Sequence, residues 1–230
     1  MEAIVLAGGL GTRLRHIVPD LPKPMAPVAG RPFLEIVLTS LANKGFKRVV
    51  LSLGYLADKV VAHFGNWFAG MELVYEIEQY PLGTGGAVRG ALERCLADHV
   101  YVLNGDTFLD LEIGPLEAQW QTNGNPIIVA REVPDTLRYG RLDISKEQVC
   151  GFLEKGTDGP GLINAGCYVL PRDILNEFEI GKAFSLEIDF LAEAVKGRRF
   201  DVFVTNGHFI DIGVPEDYHR AQTELAGFVD

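Results

Sequence analysis

Apolar and polar positions alternate along this chain in two rhythms. In the first half, short apolar runs at Ala3–Ala7, Arg48–Leu53, Glu72–Ile77 and Val100–Leu103 predict strands, each closing on a glycine or polar turn. Between them, apolar residues recur at helical spacing, as Phe33, Ile36, Val37 and Leu41 do. They predict helices over Pro32–Lys44, Leu56–Phe64 and Gly85–Leu96. Strand and helix in turn predict βα units around a largely parallel sheet. In such sheets ligands collect beyond the carboxyl ends of the strands, so the residues just after each strand are the ones to read for chemistry.

The rhythm then changes. Pro126–Glu132, Gly140–Ile144, Gln148–Leu153 and Leu162–Val169 predict strands without helices between them, separated by turn clusters at Asn123–Pro126 and Asp158–Gly161. This is the pattern of a mixed-sheet extension covering one site. Helices return at Ser185–Val195 and Pro215–Leu225, with strands near Phe200–Val204 and His208–Asp211. No repeat, low-complexity tract or long linker divides the chain, so a single domain over residues 1–230 is expected.

Composition narrows the partners. With 230 residues and 47% apolar content the chain can bury a substantial core. Its 21 Lys and Arg against 31 Asp and Glu leave a formal charge of -10, which argues against nucleic acid as a partner. Any phosphate ligand must be held locally. Cys95, Cys150 and Cys167 are odd in number and widely spaced, which suggests neither a disulfide framework nor a zinc site and fits a reducing cytoplasm. The chain opens directly into a strand and no apolar run approaches ~18 residues, so neither secretion nor a membrane span is expected.

Local positive charge lies where the first strand ends. Gly8, Gly9 and Gly11 let backbone amides approach an anion, and Arg13, Arg15 and Lys23 follow closely. A dinucleotide fingerprint would need glycine where Leu14 stands, and a P-loop would need Gly-Lys-Ser/Thr where Gly11-Thr12-Arg13 stands. A tight turn with surface basic residues would explain the glycines alone. Lys23, however, sits between Pro22 and Pro24, whose rings predict a stiff extended segment presenting the lysine. A basic side chain beside a glycine nest suits a triphosphate.

The run L-A-G-G-L-G-T-R-L at Leu6–Leu14, followed by P-K-P-M at Pro22–Met25, resembles the signature of the sugar-1-phosphate nucleotidyltransferases, the nucleotide-sugar pyrophosphorylases. The resemblance extends over nearly the whole chain. It implies an α/β, three-layer Rossmann-like fold with a central mixed, mainly parallel sheet, NTP and sugar 1-phosphate as substrates, and Mg2+ as cofactor. It divides the chain into a nucleotide-binding part of about residues 1–110 and a sugar-binding part of about residues 111–230. Leu6, Ala7, Gly8, Gly9, Gly11, Thr12 and Arg13 would meet the nucleotide, joined by Pro81, Gly83, Thr84 and Gly85 of a second glycine loop and by Asn104 and Gly105. Glu78 can accept hydrogen bonds from a base edge, as it can equally be an exposed strand-end carboxylate.

Asp106 in L-N-G-D and Asp211 in F-I-D-I-G match the family's metal-binding aspartates, although each would also suit a turn before glycine. Arg13, Lys23 and Asp106 form the expected catalytic set. On the sugar side Tyr139, Gly140, Glu154, Lys155, Asn164, Ala165 and Gly166 match positions that contact sugar hydroxyls and phosphate. Glu187 or Asp189 can face the sugar too, or serve with Ser185 as a helix cap.

The stretches at Leu82–Ala87, Asn164–Tyr168 and Phe184–Phe190 look most like the D-glycero-D-manno-heptose 1-phosphate guanylyltransferases. N-acetylmuramate 1-phosphate uridylyltransferases and mannose-1-phosphate guanylyltransferases share most of these motifs and stay open as alternatives. A catalytically silent nucleotide-sugar-binding regulatory subunit is the reading of another class. It would have lost Lys23, Arg13 or a metal aspartate, and none is lost. A homo-oligomer is compatible with all of these readings.

Overall fold

The computed structural model describes residues 1–9, 14, 18, 21–137, 139–153 and 159–228. The first half carries β1 (Glu2–Leu6), β2 (Pro27–Val28), β3 (Arg31–Pro32), α1 (Phe33–Asn43), β4 (Arg48–Leu53), α2 (Ala57–Phe64), β5 (Trp67–Phe68), β6 (Met71–Ile77) and α3 (Gly83–Leu92). The chain continues through β7 (His99–Asn104), β8 (Thr107–Leu109), α4 (Ile113–Asn123), β9 (Ile127–Val133), β10 (Leu142–Ser145), β11 (Gln148–Phe152) and β12 (Gly161–Pro171). It closes with a π-helical turn (Leu186–Leu191), α5 (Ala192–Gly197), β13 (Asp201–Thr205), β14 (Phe209–Asp211) and α6 (Pro215–Glu224).

Period-two alternation builds two cores on one sheet. Ala3 and Val5 of β1, Val49 and Leu51 of β4, and Tyr101 and Leu103 of β7 face one side, where α1, α2, α4 and α6 pack. Ile4, Val50, Val100 and Val102 face the other, against α3, the π-helical turn and α5. Both faces are covered, which is why the central strands read as unbroken apolar runs. Among the described residues the main sheet has ten strands in the order β10-β11-β13-β9-β12-β7-β1-β4-β6-β5. The pairings run β11, β12 and β5 against the other seven, giving the mixed, mainly parallel sheet that was expected.

The chain winds outward from β1 through β4 to β6, then returns to place β7 on the other side of β1. The crevice at the carboxyl ends of β1 and β7 is thus a topological switch point, where open α/β sheets bind ligands. The approach there is close. Gly105 donates its amide to Leu6 O at 2.9 Å, and a Cβ on Gly105 would lie 2.6 Å from that oxygen, so only glycine lets β7 leave beside β1.

Several elements differ from the sequence reading. Helix α4 lies where none was expected: only Ile113 and Leu116 of it are buried, and Gly114 and Pro115 interrupt its first turn, so its apolar period is faint. Pro22 is extended, but Lys23–Met25 curls into a 3-10 turn with Pro24 and Met25 buried, which the proline rings permit because their φ suits both conformations. Helix α3 begins and ends earlier than the Gly85–Leu96 reading, since Gly83 at φ +67 makes its entry. Cys95 and Cys167 fill the two cores as free thiols, and burial pushes the Cys95 thiol up to about 12. Among the described residues, no helix is long and apolar enough to cross a membrane.

Candidate active site

A cavity of about 310 Å3 opens at the switch point. Leu6, Ala7, Gly8 and Gly9 after β1 form one wall, and Asn104, Gly105 and Asp106 after β7 form the next. Pro81, Gly83 and Thr84 supply the entry to α3, while Lys23 and Glu78 reach in from the 3-10 turn and from the end of β6. Residues as far apart in sequence as Leu6 and Asp106 are brought together because parallel strands deliver their carboxyl ends to one edge. Gly11, Thr12 and Arg13 lie outside the described residues, as do Arg15, Glu154 and Lys155.

Gly85 takes another part. It is not on the cavity wall: a Cβ there would run into the Phe184 ring, and its amide donates to Phe184 O at 2.9 Å. The glycines of α3 therefore let the segment before the π-helical turn lie flat on the helix. Thr84 Oγ1 accepts from Leu186 N at 2.9 Å, tying the two elements further.

The charged groups are arranged around Asp106. Lys23 Nζ donates to Asp106 Oδ2 at 2.6 Å, with the lysine side chain only 11% exposed. Asp211 ends β14, which pairs with β8 so that Asp211 stands across from Thr107, and Ile212 N donates to Asp106 O at 2.9 Å. Burial, followed by the nearby Asp106 charge, raises the Asp211 carboxyl above its usual range, while Lys23 and the Gly213 amide oppose the shift. The turn-capping reading holds as well, because Asp211 Oδ1 accepts from Gly213 N at 2.6 Å. Two carboxylates that repel in a partly buried setting are an all-oxygen donor pair, and that chemistry fits a hard divalent cation.

Glu78 is held from both ends. Oε2 accepts from Leu82 N at 2.9 Å and Oε1 from Ser52 Oγ at 3.3 Å. Burial raises its carboxyl above the usual range, and the two hydrogen bonds only partly offset this. Ser52, Pro24 and Ala87 line the cavity although none of them was among the expected site residues. Ser52 left one signal: a hydroxyl inside the apolar run of β4, fully buried.

The sugar-side residues form a second group. The register of β12 against β9 shifts between Asn164 and Tyr168, a bulge in which Gly166 takes φ +68 and donates to Asn164 Oδ1 at 3.1 Å. Asn164 Nδ2 donates to Glu187 Oε1 at 2.6 Å and to the Tyr168 hydroxyl at 2.7 Å. Asn104 lies directly against Gly166, which links this group to the cavity. Asp189 accepts from Ser185 N at 2.6 Å while Ser185 Oγ accepts from Ile188 N, so Asp189 caps the turn. Ala165 points into a core. Tyr139 stacks edge-on against Phe209 at 6.3 Å, and Gly140 sits beside Leu153 O.

Fold and site together define a nucleotidyltransferase. A family model for nucleotidyl transferases matches residues 2–227, and the chain belongs to that family. It is 42% identical to a D-glycero-alpha-D-manno-heptose 1-phosphate guanylyltransferase of Campylobacter jejuni, over 96% of this chain and 98% of that protein. It is 37% identical to the protein of the same name from Aneurinibacillus thermoaerophilus, over the full length of both. The crystal structure of HddC from Yersinia pseudotuberculosis complexed with GMP-PN superposes with a TM-score of 0.86 at 39% identity, covering 96% of this chain and 97% of that one.

Proposed function

We propose that this enzyme transfers GMP from GTP to D-glycero-α-D-manno-heptose 1-phosphate, releasing pyrophosphate and GDP-heptose. The observation that carries the reading is the switch-point cavity in which Lys23, Asp106 and Glu78 converge. The two full-length relatives named for this reaction support the choice of substrates. Residues 1–230 act as one domain, with the nucleotide met by about residues 1–110 and the sugar phosphate by the remainder.

Glu78 supports guanine. The base offers adjacent N1–H and N2–H donors, which a carboxylate can accept together; uracil and thymine offer one N–H flanked by carbonyls that a carboxylate repels. The nucleophile needs no general base, because a phosphate monoester has its second pKa near ~6 and is largely dianionic at neutrality. The work left to the protein is in-line placement and neutralisation of charge. Lys23, released from Asp106 as substrates enter, turns its ammonium to the α-phosphate and the incoming sugar phosphate. Arg13 and the amides of the first glycine loop hold the leaving pyrophosphate. Asn164 and Glu187 accept and donate to sugar hydroxyls, with Lys155 at the sugar phosphate. Asp106 and Asp211 are the residues that would hold Mg2+, which when bound offsets phosphate charge.

Pyrophosphate release measured with GTP, UTP, ATP, CTP and dTTP, each paired with heptose, mannose, N-acetylmuramate and glucose 1-phosphates, tests the reading. Turnover with GTP and the heptose phosphate is expected. Preference for UTP with the muramate compound would replace the substrates, and nucleotide binding without turnover would replace the enzyme by a sensor.

A further inference from the structure

Ser52 has no place in the reaction as drawn. It is fully buried at the carboxyl end of β4, between apolar neighbours, on the wall of the nucleotide cavity. A hydroxyl at such a place costs stability unless it has a partner, and an alanine there would fold as well. Its partner is the Glu78 carboxylate.

We propose that Ser52 is a positioning residue for the nucleobase: with the Leu82 amide, its hydroxyl fixes the plane of the Glu78 carboxylate so that both oxygens can meet the N1–H and N2–H of guanine. This rests on the reading of Glu78 as the group that faces the base. The two oxygens are held separately, Oε1 by Ser52 Oγ and Oε2 by Leu82 N, so the carboxylate cannot swing about its last torsion without losing one of them. Gly8 closes the third side, since a Cβ on it would lie 3.1 Å from Glu78 Oε1. The backbone is pinned too, because Glu78 N donates to Leu53 O at 2.8 Å, one residue beyond Ser52. Each carboxylate oxygen has two lone-pair positions, so holding it from within leaves one for the ligand. A carboxylate that must match two donors of a planar base gains selectivity from being held in plane before the base arrives.

Hypoxanthine lacks only the N2 amine of guanine, so ITP is the probe. Dissociation constants for GTP and ITP, measured by calorimetry without sugar phosphate, are compared for the wild type, Ser52→Ala, Glu78→Ala and the double variant. The wild type is expected to prefer GTP. Ser52→Ala should reduce that preference roughly three- to tenfold, the range for one hydrogen bond to a fixed acceptor. In the Glu78→Ala background the same change should add nothing, because a residue that acts through another has no effect once that other is gone. Ser52→Cys, which keeps the shape and weakens the donor, should move the preference the same way with native thermal unfolding. If Ser52→Ala weakens GTP and ITP equally, or still acts in the Glu78→Ala background, the positioning role is wrong. If Glu78→Ala leaves the GTP preference intact, the reading of Glu78 falls and the Ser52 role with it.

Discussion

Lys23 pairs with Asp106 at 2.6 Å, its own side chain largely out of solvent. In the proposed reaction the same lysine would also serve the reacting phosphates, and removing it should affect stability and catalysis unequally. Lys23→Ala is expected to lower kcat by roughly a hundred- to a thousandfold, the cost of losing one preorganised charge at the reacting phosphate. The thermal unfolding midpoint should fall only modestly, because Asp106 keeps its access to water while Asp211 loses the Lys23 charge that opposes its repulsion with Asp106. Asp211→Asn should behave in the opposite sense. It relieves both the burial of a charge and its repulsion with Asp106, so metal-free protein in EDTA should gain about 1 kcal/mol of stability while pyrophosphate release is lost. Retained turnover in either variant, or a destabilised Asp211→Asn, would contradict the electrostatics described. Asp106 and Asp211 could be singled out in the sequence because each closes or follows a strand in a recognisable motif, and Lys23 because prolines flank it in P-K-P-M. Ser52 was not, since a serine in an apolar run has a bland reading until the fold sets Glu78 against it.

At the scale of elements, the start of β13 is tied to its neighbours through one buried carboxylate. Asp201 is 1% exposed and accepts hydrogen bonds from Arg199 Nε at 2.6 Å, Asn123 Nδ2 at 2.7 Å and Asn125 Nδ2 at 3.3 Å, which fastens the α4–β9 turn to β13. Burial pushes this carboxyl up, but the three donors more than offset it and hold it below the usual carboxylate range. A carboxylate with a lowered folded pKa contributes stability above its unfolded pKa and loses it as pH falls through the folded one. Asp201→Asn should therefore cost about 2 kcal/mol at neutral pH, and the gap to wild type should close as acid takes the pH below the ordinary aspartate value of 3.8. Denaturant melts across that range give the answer, and a gap independent of pH would show that the charge is not what matters. Every strand of the main sheet except the two-residue β5 was readable to within two residues, the central ones because burial on both faces enforces apolar runs. Helix α4 was not, because it buries only one edge and starts on Gly-Pro. The Ser185–Val195 helix was read correctly in place but not in kind: it begins as a π-helical turn, which carries Glu187 to Asn164.

The whole molecule is organised so that the cavity belongs to the sheet and not to one loop. Its wall comes from the ends of β1, β4, β6 and β7 and the start of α3, elements that share both cores. A ligand bound there is a contact between elements that separate on unfolding, so occupancy must show in the stability of the entire chain. At a GTP concentration a hundredfold above its dissociation constant the gain should be about 2.7 kcal/mol. For a protein of this size each kcal/mol moves the midpoint by roughly 2–4 °C, so thermal unfolding should shift upward by about 5–11 °C. UTP at the same concentration should shift it far less, because in the proposed reading Glu78 would meet a single N–H flanked by carbonyl oxygens. If Glu78 is the group that tells them apart, the difference between the two nucleotides should shrink in Glu78→Ala. Equal shifts with GTP and UTP in the wild type would leave the site intact as a triphosphate cradle and remove guanine from its definition. A shift with GTP that survives in Glu78→Ala at full size would move base selection to other groups lining the cavity, such as the backbone of Ala7–Gly9 and Gly83–Thr84.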